Sequence, residues 1–118
     1  MGVIQHNAVI ATTSLDGIDQ INEWIDKLYD HHPQFAEKDF KKLFLFGVSI
    51  SNGHYTVVLV PDGSKEYWDV SNLGDDLREC FIAKMTALEN EKSSFWSWVE
   101  IGYGECGQKI EGNNRNRM

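Results

Sequence analysis

Val3 to Thr13 is rich in β-branched and apolar residues, with His6, Ala8, Ile10 and Thr12 on one side, which predicts a β-strand. The period then lengthens. Ile18, Ile21, Trp24, Ile25 and Leu28 recur at spacings of three and four and form one helical stripe, opened at Ser14 or Asp16 and stopped by Pro33. Residues 34–42 are polar, basic toward their end, and have room for only a short helical turn. Leu43 to Ser51 predicts a second strand, and Asn52-Gly53 is a hairpin dipeptide leading into a third, His54 to Val60. Pro61-Asp62-Gly63 closes that strand with a turn. A second helix is predicted from Ser71 or Asp75 to about Asn90, with Leu77, Phe81, Met85 and Leu88 inward. After the polar connector 91–94, Trp96 to Tyr103 predicts a fourth strand.

This order predicts an α+β, ferredoxin-like βαββαβ domain: a four-stranded antiparallel sheet with two helices on one face. Right-handed crossovers put both helices on the same side and leave the other face open. The domain spans residues 1–106, and residues 107–118, rich in Asn and Arg, read as a flexible tail. In the fourth strand, Val99, Ile101 and Tyr103 suit the helix-covered core, so Trp96, Trp98 and Glu100 are expected on the open face. Two tryptophans there predict an apolar patch that takes a sister subunit, the connector 34–42 or a ligand.

Composition narrows the function classes. At 118 residues the chain can build one core without staples, and its net charge of −7 argues against a protein that wraps long nucleic acid. The charge is compatible with a small nucleotide held by one or two cations, with a basic protein partner, or with plain solubility. No run approaches a membrane span, and the opening residues lack the features of a secretory leader, so a cytoplasmic location is expected. Cys80 and Cys106 fit neither a disulfide framework nor a CxxC motif. The four histidines show no metal-ligand spacing. No nucleophile elbow, P-loop or GxGxxG run occurs, so neither a catalytic residue nor a cofactor is assigned.

The candidate chemistry lies in two segments, Asp62-Gly63-Ser64-Lys65-Glu66-Tyr67-Trp68 and Trp96 to Gly104. Lys65 and Arg78 are candidate phosphate holders, joined by Arg115 from a neighbouring subunit. Trp68, Trp98 and Tyr103 are candidate stacking surfaces for a base. Asp69 or Glu100 would accept hydrogen bonds from ribose hydroxyls. His6 could bond a ligand on the open sheet, or pair with Glu100 as acid and base. The plainer reading makes Pro-Asp-Gly a strand ending, Trp68 a core plug, His6 a satisfied strand histidine and Arg78 a solvated or salt-bridged residue.

Three blocks carry a resemblance. Ile4 to Ser14, Pro61 to Trp68 and Trp98 to Gly104 resemble, in order, a family of small, mostly uncharacterised tailed-phage and prophage proteins. Asn7 stands where that pattern has a second histidine, and Tyr67 replaces a glycine. The resemblance implies a phage origin and an anti-defence role, such as the anti-Thoeris and anti-CBASS sponges that sequester cyclic nucleotide signals in pockets between subunits. The leading expectation is therefore a non-enzymatic homo-oligomer that binds such a signal without cleaving it. The alternatives are a protein–protein inhibitor of a host factor and a small dimeric α+β-barrel enzyme using His6 and Glu100.

Overall fold

β1, Gln5–Thr13, runs through the centre of an antiparallel sheet with a partner on each side. The computed structural model describes residues 5–63, 69–105 and 107–114. Along β1, Val9, Ala11 and Thr13 are buried against the helices, while His6, Ile10 and Thr12 point to the other face. α1, Leu15–Asp26, buries Ile18, Ile21 and Ile25 on the β1 side. A break at Lys27 precedes the short α2, Leu28–His31, which continues the stripe through buried Leu28. Pro33 then opens a 3₁₀ turn, Pro33–Lys38, followed by another, Phe40–Leu43. This connector is more than polar spacer. Its two aromatics, Phe35 and Phe40, enter the core edge to face at 5.5 Å.

β2, Phe44–Val48, and β3, Tyr55–Leu59, form the hairpin expected at Asn52-Gly53. Both turn residues take left-handed φ, 64° and 61°. The strands are shorter than expected, and the Ser49 N–H donates to the His54 carbonyl at 2.9 Å to close a protruding loop. α3, Asp69–Asn90, starts before the predicted point and buries Leu77, Phe81, Met85 and Leu88. β4, Trp96–Gly104, pairs with β1 along its whole length.

That pairing overturns the predicted facing of β4. Thr13 sits opposite Trp96, Ala11 opposite Trp98 and Val9 opposite Glu100. Directly opposed residues share a face, so Trp96, Trp98 and Glu100 lie on the helix side. Val99, Ile101 and Tyr103 lie on the open one. Trp96 has 0% of its surface exposed and meets Phe81 edge to face at 6.5 Å. Phe81 in turn packs on Trp24 and Phe44. Both alternation frames of this strand are apolar, and the larger side chains take the deeper site because they have more surface to bury.

The second correction concerns strand number and the tail. β5, Lys109–Asn113, pairs antiparallel with β4, giving five strands in the order β2-β3-β1-β4-β5. The turn between them uses positive φ at Gly104 and Gly107, with the Gly107 N–H bonded to the Gly104 carbonyl at 3.1 Å. Asn114 anchors the end. Its Oδ1 accepts from the Trp98 N–H and its Nδ2 donates to Glu89 Oε1, each at 2.9 Å. A second bond runs from Nδ2 to the Trp96 carbonyl. The Asn-rich composition that suggested fraying supplies the side chain that fastens the strand. Residues 115–118 lie outside the description.

Asn114→Ala leaves these β4 groups and Glu89 without that partner and should cost about 1–3 kcal/mol in urea unfolding. Amide exchange in β5 should accelerate more than in β1. Unchanged exchange in β5 would show that the strand does not depend on this side chain.

Candidate functional site

The sheet divides the predicted site residues between two faces. Arg78, Glu100 and Trp98 are on the helix side; His6 and Tyr103 are on the open side. Asp69, exposed, opens α3. Lys65, Trp68 and Arg115 lie outside the described residues.

On the helix side, Arg78 projects from the third turn of α3 and is only 5% exposed. Its guanidinium is ringed by carboxylates: Nη1 lies 3.7 Å from Asp62 Oδ2, Nε lies 3.6 Å from Glu100 Oε2, and Nη2 contacts Asp75. Gly74 makes the approach of Asp62 possible, since a Cβ there would fall 1.9 Å from Asp62 Oδ2. Beside this cluster, Gln5, Asn7 and Glu111 converge over Gly102, where a Cβ would meet Glu111 Oε1 at 2.8 Å and Asn7 Oδ1 at 2.9 Å. Glu111 reaches this point because a β-bulge interrupts the β4–β5 register there.

The electrostatics follow from this crowding. Burial pushes the Glu100 carboxyl above the usual glutamate range; the Arg78 cation opposes the shift, and Glu111, Asp75 and Glu79 add to it. One guanidinium facing three carboxylates gives the cluster an acidic balance. A phosphate approaching Arg78 would meet their field first, so the chemistry here suits a structural clamp better than an anion site. No group of three or more His, Cys, Asp or Glu side chains placed to hold a metal occurs among the described residues. Burial also pushes the Cys80 thiol up, aided by Asp76 and Glu79, which keeps it protonated and unreactive.

The open face has a different character. His6 and Tyr103, opposite each other on β1 and β4, have ring centroids 5.1 Å apart. Beside them a shallow recess of about 390 Å³ is formed by Ile101, Tyr103 and Ile110 with Gln108 and Lys109. Ile10, Leu45 and Ile110 are exposed on the same face, with Val58, Val99 and Ile101 between them. The predicted His6–Glu100 acid–base pair is not formed, because the two side chains leave the sheet in opposite directions. Trp98, expected to stack a ligand base, packs against the core, and its indole N–H is buried without a hydrogen-bond partner among the described residues.

Sequence reasoning missed Asp62, Asp75 and Glu111 as neighbours of Arg78 and Glu100, and Lys109 as part of the open-face recess. Asp75 stands three residues before Arg78 on a helix, the spacing of a side-chain pair, and that signal was legible. Compared with models of known protein families, with curated proteins and with solved structures, the chain matches none. No helix among the described residues is long and apolar enough to cross a membrane.

Glu100 binds its proton more readily folded than unfolded, so the folded state holds the excess proton just above the usual glutamate pKa. Stability should therefore fall as pH rises through that window and then level off. Glu100→Gln should remove the fall. Arg78→Met, which takes the cation away from these carboxylates, should cost about 3–5 kcal/mol. It should also move the Glu100 titration, read by carboxyl carbon NMR, further up. A downward move would contradict the clamp.

Proposed function

We propose that this chain is a non-catalytic homo-oligomer that sequesters a nucleotide-derived immune signal at its open sheet face, as a phage anti-defence protein acting in the host cytosol. The observation that carries this reading is that face: apolar across its strands, with an aromatic recess at the β4–β5 side. Tyr103, steadied by His6, offers a stacking surface for a base. The Lys109 side chain turns to the other face: Lys109 stands opposite Gly102, and its ammonium lies 3.6 Å from Glu111 Oε1 there.

A second copy of the chain is the fitting cover for the rest of the face. Two strands of nine residues and three of five, at about 3.3 Å per residue and about 4.8 Å spacing, give roughly 500 Å². That is more than half of the roughly 800 Å² per partner of a stable interface. The order β2-β3-β1-β4 is that of ferredoxin-like sheets, whose open faces often pair, and β5 widens the surface. Separation of His6 from Glu100 counts against the barrel-enzyme alternative.

One observation favours the rival, a protein–protein inhibitor. β2 is an outer strand, Leu45, Phe46 and Val48 on it are exposed, and Ile50 at the hairpin tip is fully exposed. An edge strand of this kind can extend a partner's sheet.

Light scattering should give a multiple of the 13.5 kDa chain mass, and Ile10→Glu should reduce it to one chain while the fold persists. Calorimetry against cyclic ADP-ribose isomers and cyclic oligonucleotides should show a binder recovered intact, weakened by about 1–3 kcal/mol in Tyr103→Ala. Absence of heat with the whole panel sinks the sponge reading. A stoichiometric host protein whose binding is lost in Ile50→Asp would favour the inhibitor.

A further inference from the structure

A second feature lies on the helix layer, away from the open face and independent of it. Gln20, Glu23, Trp24 and Lys27 recur at spacings of three and four on α1, so they form one stripe. Lys84 and Leu88, four apart on α3, face this stripe, and His31 of α2 closes one end. The groove between them encloses about 270 Å³.

Its chemistry is the reverse of the chain's. Against a net charge of −7, the groove gathers Lys27, Lys84 and His31 around a single carboxylate, Glu23. Glu23 engages Lys27 at 3.2 Å, but both side chains are more than half exposed, and such a pair is worth about 0.2–1 kcal/mol. Lys84 is half-buried and has no ion pair among the described residues. Lysine in that position costs side-chain freedom with no ion pair among the described residues to offset it.

Gln20 supplies an independent observation. Its Oε1 is buried and has no hydrogen-bond partner among the described residues, a condition that costs about 1–3 kcal/mol and is rare in folded proteins. An acceptor in that state suits an N–H donor brought by a ligand. Trp24 forms a fixed apolar wall, held by Phe44 edge to face and by Phe81 nearly parallel, each at 6.2 Å.

We propose that this inter-helix groove binds a small phosphorylated molecule that carries an amino-bearing planar ring. The phosphate would lie between Lys27, Lys84 and His31. The ring would rest on Trp24 and Leu88, with its amino group donating to Gln20 Oε1. The groove holds each requirement separately: a cationic rim, an apolar wall and an unsatisfied acceptor.

Adenosine monophosphate, ribose 5-phosphate and inorganic phosphate are the probes, titrated into the labelled full chain by NMR. Adenosine monophosphate should shift the Gln20 side-chain amide, the Trp24 indole and the Lys84 signals in one saturable curve, and bind at least about fivefold tighter than ribose 5-phosphate. Lys27→Gln with Lys84→Gln should weaken it about tenfold at unchanged melting temperature. Tyr103→Ala, on the other face, should leave the titration unaltered, which separates this site from the open-face reading. The proposal is overturned by silence of these signals to about 5 mM, a concentration at which even millimolar affinity would register. Equal binding of ribose 5-phosphate, or affinity unaffected by the double lysine change, also overturns it.

Discussion

The register of β1 against β4 determines the rest of the molecule. With Thr13 opposite Trp96, every second residue of β4 from Trp96 to Gly102 is turned toward the helices. Trp96 then fills the space beneath α3, where Phe81 links it to Trp24 of α1 and Phe44 of β2. A slip by one residue would turn Val99 and Ile101 inward and put two indoles in water. The aromatic chain from β4 through α3 to α1 and β2 joins both crossovers, so its loss would be felt in all of them.

The same register decides the electrostatic layout. Glu100 is carried to the helix side along with the tryptophans, and there it meets Arg78 and Asp62 at the end of the apolar core. The acidic cluster on this face ties β3, β4 and α3 together through one guanidinium. The open face is left with little formal charge. His6 and Tyr103 give it polarity along one side, and elsewhere Thr12, Ser97 and Asn113 stand among aliphatic side chains. A molecule with one neutral, apolar sheet face and one charged helical layer presents two chemically different surfaces.

Much of the fold was legible because its signals are local. The Ile18-to-Leu28 stripe, the inward positions of α3 and the Asn52-Gly53 hairpin depend on spacings within a single element. The facing of β4 was not legible in the same way. Apolar side chains occupy both frames, and only packing volume across the sheet chooses between them. Phe35 and Phe40 were hidden among charged neighbours, although two large aromatics among the nine residues 34–42 are themselves a burial signal. β5 was obscured by composition: Lys109, Ile110 and Glu111 alternate, but the Asn- and Arg-rich segment after them outweighed the pattern. Of the site, the pairing of Tyr103 with His6 depended on register, and the crowding around Arg78 depended on which end of β3 approaches α3. Neither is encoded in nearby residues.

The added fifth strand gives the sheet two unlike borders. β5 is bulged at Glu111 and carries charge of both signs, two devices that discourage further pairing. Its position also hides the longer β4 from other chains. β2, at the opposite border, carries Leu45, Phe46 and Val48 with no such protection. Strand-to-strand growth is therefore directional: it can begin only from the hairpin side, and two copies meeting there would join β2 to β2 and leave a guarded strand at each outer margin. Assembly by that route terminates at a pair instead of continuing into a fibre.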